Sequence, residues 1–291
     1  MKKVIAWWSG GITSAVTCKI CIDTYGVENV RVIFIDTFNE DEDTYRFKKD
    51  CEVLYGKEIE TITLIGDKYK SIQDVWIKHK SLNVAKGAVC SSELKRSVRE
   101  KWQKNNEYDL QAFGFEIEET NRAKAMKLNH QKAKPIFPLL LFGYSKKDCI
   151  KIMEDYGVEV PRMYHLGFHN NNCFGTGCVQ GGIGYWQKIR DEYPDKFNAM
   201  AEMEHKLTEL KGEPVTMLKD QSNEAKQSKN QLLFLKPHPD YPNIKDVSMI
   251  KGREVKPLFE CNGFCGVNDL SERIETEEEI NYGQLDMFEN E

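Results

Sequence analysis

Ser9-Gly10-Gly11-Ile12-Thr13-Ser14 follows the apolar run Val4-Ile5-Ala6-Trp7-Trp8 and opens a helix-like segment from about Ser14 to Tyr25. A strand, a glycine turn and a helix in that order present backbone N–H groups and a positive helix end to a phosphate. Gly10 and Gly11 let the backbone come close to a ligand and take dihedrals that other residues resist. Ser9 and Ser14 add hydroxyls. The stretch lacks the Gly-Lys-Ser/Thr ending of a Walker loop and the third glycine of a dinucleotide fingerprint.

The pattern continues as alternating strands and helices. Val30-Arg31-Val32-Ile33-Phe34-Ile35 is β-branched and nearly all apolar, as befits the interior of a parallel sheet. It runs into Asp36-Thr37-Phe38-Asn39-Glu40, so Asp36 and Thr37 stand at a carboxyl strand end, where parallel sheets bind ligands. Asp43–Leu54 reads as a helix, Ile59–Leu64 as a strand and Ser71–His79 as a helix. Leu110–Phe115 reads as a fourth strand, ending at Gly114-Phe115. The expected fold is α/β: a Rossmann-like parallel sheet flanked by helices, followed by a helical, cysteine-containing C-terminal region. Tyr185 to Gly212 is helical, with an interruption at Pro194, and its Met and aromatic stripes read as core.

The chain has 291 residues, room for one large domain with an appendage, and a net charge of −5 that argues against general coating of nucleic acid. No apolar run reaches the length of a membrane span, so a cytoplasmic protein without membrane contact is expected. Nine cysteines are many for such a chain, and in a reducing compartment they point to metal or sulfur chemistry more than to disulfides. Cys18 and Cys21 read as small buried apolar groups. Cys173-Phe174-Gly175-Thr176-Gly177-Cys178 and Cys261-Asn262-Gly263-Phe264-Cys265 are two glycine-bearing pairs. Together they can supply four thiolates to a structural zinc or to an iron–sulfur cluster.

Taken together, these stretches resemble the phosphoadenosine phosphosulfate reductase-like family of the pyrophosphate-loop (adenine nucleotide alpha-hydrolase) superfamily, including its phage-type members. Ser9–Ser14 is similar to the S-G-G-x-x-S pyrophosphate loop, with Thr13 where many members carry Asp. Asp36–Phe47 is similar to D-T-x-x-E…T-Y-x-F. Cys90-Ser91-Ser92-Glu93-Leu94-Lys95 resembles C-x-x-x-L-K, whose basic residues meet phosphate or sulfate, and Lys95, Arg96, Arg99 and Lys101 cluster there. Gly114–Ala123 resembles G-x-R-x-x-E-S-x-R-A, with Glu116 in place of the first arginine and Arg122 in place of the second. The order P-L…S/T-K-x-D…P…Y-x-x-G-F appears from Pro138 to Phe168.

The resemblance implies a nucleotide-binding domain over 1–168, a helical, cysteine-rich metal-binding region over 169–270 and an acidic tail over 271–291. It implies ATP, or phosphoadenosine phosphosulfate, with Mg²⁺ at Ser9, Gly10, Gly11, Thr13, Ser14, Asp36, Thr37 and Gly114. Cys90, Lys95 and Arg122 are its catalytic candidates. By resemblance a 4Fe-4S cluster is favoured over zinc, with ligands from Cys90, Cys173, Cys178, Cys261 and Cys265. Three activities follow as alternatives: adenylylation of a substrate for sulfur transfer to a nucleic-acid base or a metabolite, reduction of the sulfonucleotide with release of sulfite, and nucleotide binding without catalysis. The reductase ending E-C-G-x-H/L is broken at Glu260-Cys261-Asn262-Gly263, which weighs against sulfite release. A homodimer is compatible with all three.

Overall fold

The computed structural model describes residues 2–84, 87–171 and 173–256. Five parallel strands form the central sheet: β1 (Val4–Trp8), β2 (Val30–Ile35), β3 (Glu60–Ile62), β6 (Leu110–Ala112) and β7 (Pro135–Ile136), in the order β3-β2-β1-β6-β7. Two short strands, β4 (Asn83–Val84) and β5 (Gly87–Ala88), pair antiparallel away from it. The α/β expectation therefore holds. The chain moves from β1 outward to β3, then crosses to the other side of β1. That reversal between β1 and β6 is where an open parallel sheet leaves a ligand crevice at its carboxyl edge.

Period-two alternation explains how both faces are filled. Val4, Ala6 and Trp8 join Val32 and Phe34 on one face, under α1 (Ile12–Tyr25), α2 (Glu42–Tyr55) and, beyond them, α8 (Lys146–Asp155). Ile5, Trp7, Ile33 and Ile35 face the other way, beneath α5 (Ser97–Asn105) and α6 (Thr120–Asn129). Trp8 is anchored edge-on to Phe34 with ring centroids 5.1 Å apart, a geometry that aromatic quadrupoles favour. Between β2 and α5 lie α3 (Ile72–His79), the short α4 (Val89–Ser91) and a π-turn at Ser92–Arg96. Such π-turns often mark functional positions.

The strand expected over Leu110–Phe115 stops at Ala112, and the one expected over Ile59–Leu64 is reduced to Glu60–Ile62. Beyond β7 come α7 (Pro138–Phe142) and, after α8, α9 (Arg162–His165). The long C-terminal helix is two helices, α10 (Ile183–Glu192) and α11 (Pro194–Lys211). Pro194 cannot continue the hydrogen-bond ladder of α10, and it takes the first position of α11 instead. The rest, α12 (Asn223–Gln227) with the strand pair β8 (Leu218–Lys219) and β9 (Leu232–Leu233), closes over α11. A third apolar cluster joins this region to Trp76, Val89 and Leu94 of the amino-terminal part. No helix among the described residues is long and apolar enough to cross a membrane.

Candidate functional site

The loop after β1 holds its shape from within. Gly10 sits at φ +87°, in the left-handed region, and a Cβ there would lie 2.8 Å from Thr44 Cγ2 of α2. Gly11 has an ordinary extended backbone, φ −93°. Gly10 is therefore the glycine that the turn requires. The Ser9 N–H donates to Ser14 Oγ at 3.0 Å, and Ser14 Oγ donates to the Gly11 carbonyl at 2.8 Å. The Ser9 hydroxyl also donates to Ser14 Oγ at 3.0 Å, so both serine hydroxyls are engaged in ordering the loop. Gly11, at the N-cap of α1, has no side chain to cap it, so the helix start keeps its positive partial charge toward the crevice. The Ile12 N–H donates to the Tyr164 hydroxyl at 3.0 Å. Thr13 is buried, and among the described residues its Oγ1 has no hydrogen-bond partner.

Asn171 ties the loop to its surroundings. Its Nδ2 donates to the Gly10 carbonyl at 2.8 Å and to Thr44 Oγ1 at 2.9 Å. The residue lies in the Asn170–Asn172 run, two positions before Cys173, and carried no assigned role in the sequence. From the other side Gly114 closes on α1: a Cβ on it would meet Ser14 Cα and Ser14 N at 2.7 Å. What the structure shows for it is close backbone packing against α1. Gly114→Ala should cost about 1–3 kcal/mol, the usual penalty of overpacking against atoms that cannot move aside. Denaturant melts would read this as a lower midpoint at unchanged slope.

At the end of β2 a buried polar cluster forms. Asp36 Oδ1 accepts from the Phe38 N–H at 2.7 Å and from the Tyr45 hydroxyl at 3.1 Å. Burial raises the Asp36 pKa, against the pull of those two bonds and of Lys95 and Lys48. Thr37 Oγ1 donates to Glu40 Oε1 at 3.0 Å and lies 3.8 Å from Cys173 Sγ. Glu40 Oε1 also takes Lys95 Nζ at 3.5 Å and Cys173 Sγ at 3.8 Å. Lys95 is therefore not a solvated cation on a helix face. It is buried and paired with Glu40. Glu40 is the group that sequence reasoning quoted without assigning, and it joins the π-turn, the β2 end and the Cys173 loop.

Phe38 stands beside this cluster at φ 51° with 61% of its surface exposed. A bulky residue in the left-handed region is strained by about 1–2 kcal/mol, and here no burial offsets that strain. Phe38→Gly should leave thermal stability unchanged or raised by up to about 1 kcal/mol. A loss of several kcal/mol in calorimetry would show that the ring is packed after all.

After β6, Arg122 is buried and fixed. Its Nη1 donates to Glu119 Oε1 at 2.6 Å, and its guanidinium lies 4.5 Å from the centre of the Phe115 ring. Glu116, standing where the resemblance has an arginine, accepts from the Lys146 N–H at 2.5 Å. Burial raises its pKa. It therefore serves as a link from the β6 loop to the start of α8.

The thiols separate into classes. Cys18 and Cys21 are fully buried in the core under the sheet, and burial raises both pKa values, that of Cys21 to about 12. They are inert apolar groups, as the sequence suggested. Cys90, Cys173 and Cys178 lie outside that core. Cys90 is half-buried against the cluster that includes Cys178, and Cys173 is half-buried beside Glu40. Cys261 and Cys265, like the acidic tail, lie outside the described residues. Among the described residues no three His, Cys, Asp or Glu side chains are gathered to hold a metal. The described chain nevertheless returns toward Cys173 before it ends. The Val255 carbonyl lies 3.0 Å from His169 Nε2, and Gln187 on α10 accepts from the Arg253 N–H at 2.9 Å.

No family model matches the chain. A curated relative, an uncharacterized protein of Methanocaldococcus jannaschii, is 30% identical over 204 residues, or 66% of this chain. The chain spans 39% of that relative's length. Among solved structures, a phosphoadenylyl-sulfate reductase from Candida auris in a phosphate complex is similar at 16% identity and a TM-score of 0.45. The likeness covers 60% of this chain and 82% of that one. A U34-tRNA thiolase from Methanococcus maripaludis with its 4Fe-4S cluster is similar at 16% identity and a TM-score of 0.35, covering 71% and 72%. The α/β fold itself is defined by the strand order and the loop geometry.

Proposed function

We propose that this chain is a pyrophosphate-loop enzyme that binds an adenine nucleotide at Ser9–Ser14 and activates a substrate by adenylylation. One observation carries the reading. The left-handed Gly10 and the start of α1, whose N-cap is Gly11, stand at the crevice between β1 and β6, within one Asn171 of α2. A phosphate is the ligand such an arrangement of N–H groups suits. The substrate oxygen attacks the α-phosphorus of ATP, pyrophosphate leaves from the loop, and a nucleophile then displaces AMP from the activated substrate. Asp36 and Thr37 stand at the neighbouring strand end, where the rest of the nucleotide would lie. Arg122, preset by Glu119, has the planar fork that suits an oxyanion.

Sulfur transfer is the finer part of this reading. It is supported by the thiol of Cys173 beside Glu40 and Lys95, and by Cys90 at the head of the same helical segment as Lys95. The described thiols do not by themselves make a cluster site, and no step is routed through one. A cluster would need Cys261 and Cys265 as well, and both lie outside the described residues.

The test is incubation with ATP and candidate acceptors, with AMP and pyrophosphate as the expected products. ADP would exclude the reading. Sulfite release from phosphoadenosine phosphosulfate would instead favour reduction. Iron, sulfide and zinc analysis of anaerobically purified protein addresses the metal: iron and sulfide support the cluster, while zinc alone points to a staple.

A further inference from the structure

The first N–H of α1 is taken by a side chain from far along the sequence. The Ile12 N–H donates to the Tyr164 hydroxyl at 3.0 Å, across 152 positions. Among the described residues the N–H groups of Gly10, Gly11 and Thr13, on either side of Ile12, have no hydrogen-bond partner. A phosphate seated on such a loop accepts from N–H groups of this kind, so the phenol oxygen stands where a ligand oxygen would. The two acceptors are unequal. The phenol is neutral, whereas a hydrogen bond to a phosphate oxygen is charge-assisted and roughly twice as strong. Tyr164 is held there by its surroundings. Its ring packs, partly buried, against the apolar cluster that contains Ile12. Two residues before it, Arg162 pairs with Asp41 at the start of α2, Nε to Oδ1 and Nη2 to Oδ2, both at 2.8 Å. The Arg162 N–H donates to Asp43 Oδ2 at 2.7 Å. Met163 and Phe168 belong instead to the cluster with Phe174 and Tyr185. The short α9 thus touches α1, the start of α2 and the segment that carries Asn171 and Cys173.

We propose that Tyr164 gates the nucleotide loop: its hydroxyl caps Ile12 while the loop is empty, and an incoming phosphate displaces it. The gate rests on the reading of Ser9–Ser14 as a nucleotide site, and it names the residue that regulates that site. A capped loop does not offer the Ile12 N–H, so the apparent affinity is lowered by the fraction of chains in which the cap is open. The experiment compares the parent with Tyr164→Phe, which keeps the ring and removes the hydroxyl. Calorimetric titration with ATP, and with inorganic pyrophosphate, should find both ligands bound roughly three- to tenfold more tightly by the variant, the worth of one net hydrogen bond. Loss of a merely structural contact would loosen the loop and act in the opposite direction. In the parent, NMR of ring-labelled tyrosine should show the Tyr164 signal shifting as ATP saturates the loop, with Tyr164→Phe identifying that signal among 12 tyrosines. Unchanged or weaker ATP affinity in a variant that circular dichroism shows to be folded overturns the gate. A Tyr164 signal that saturating ATP leaves unmoved does so too. In both cases ATP still binds, and the nucleotide reading stands. ATP and pyrophosphate that bind neither protein remove the nucleotide reading, and the gate with it.

Discussion

Gly10→Val should abolish nucleotide binding, with an affinity loss of at least about a hundredfold, while Gly11→Ala should keep a folded chain. The difference lies in the backbone. Gly10 has φ +87°, and the new Cβ would sit 2.8 Å from the Thr44 methyl. A β-branched residue at positive φ costs about 1–2 kcal/mol before any clash. Thr44 is buried, and its hydroxyl shares Asn171 with the Gly10 carbonyl. Pushing Thr44 away therefore breaks the node that fixes the loop against α2. The loop N–H groups then lose the concave arrangement that a phosphate needs. Gly11, at φ −93°, asks for no such conformation. Calorimetric titration with ATP on both variants, with circular dichroism to confirm folding, would measure the contrast. Equal ATP affinity in a folded Gly10→Val protein would place the phosphates elsewhere.

That contrast shows what the sequence could tell and what it could not. The order strand, Gly-Gly, helix was legible because local chemistry sets it, and β1, the loop and α1 formed there. Which glycine bears the left-handed turn was not legible, because it depends on Thr44 and Asn171 closing in from distant segments. Asp36 at a strand end could be read from its neighbours. Glu40 could not be assigned, since its meaning comes from Lys95 and Cys173, 55 and 133 positions away. The run Lys95, Arg96, Arg99 looked like one basic cluster. In the fold it divides: Lys95 turns to Glu40 at the end of β2, while Arg99 borders a separate cavity beside α5. Helical spacing alone does not reveal which way a buried cation turns.

Glu204 should give the protein a stability that falls as pH rises. It lies in α11 with its side chain fully buried, where Oε1 accepts from the Met217 N–H at 2.9 Å and Oε2 from the Leu235 N–H at 2.7 Å. It thereby fastens the segments around β8 and β9 to the helix. Burial raises its pKa to about 8, opposed by the two backbone bonds. In the unfolded chain a glutamate titrates near 4.3. The folded form thus holds its proton over a window where the unfolded form has released it. The contribution is fully present below about pH 4.3, declines through the window and is lost above about pH 8. At about 1.4 kcal/mol per unit, the total is on the order of 4–5 kcal/mol, or roughly 10 °C in melting temperature. Glu204→Gln removes this titration. Its carbonyl can still accept one of the two N–H donors, but its NH₂ faces the other, at a constant cost of about 1–3 kcal/mol. The variant should therefore melt lower than the parent at about pH 4, lose less stability on the way up, cross the parent curve between about pH 5 and 6.5, and melt higher than the parent above about pH 8. Melting curves that stay parallel from pH 5 to 9 would mean that Glu204 is ionised throughout and that its two N–H bonds outweigh its burial.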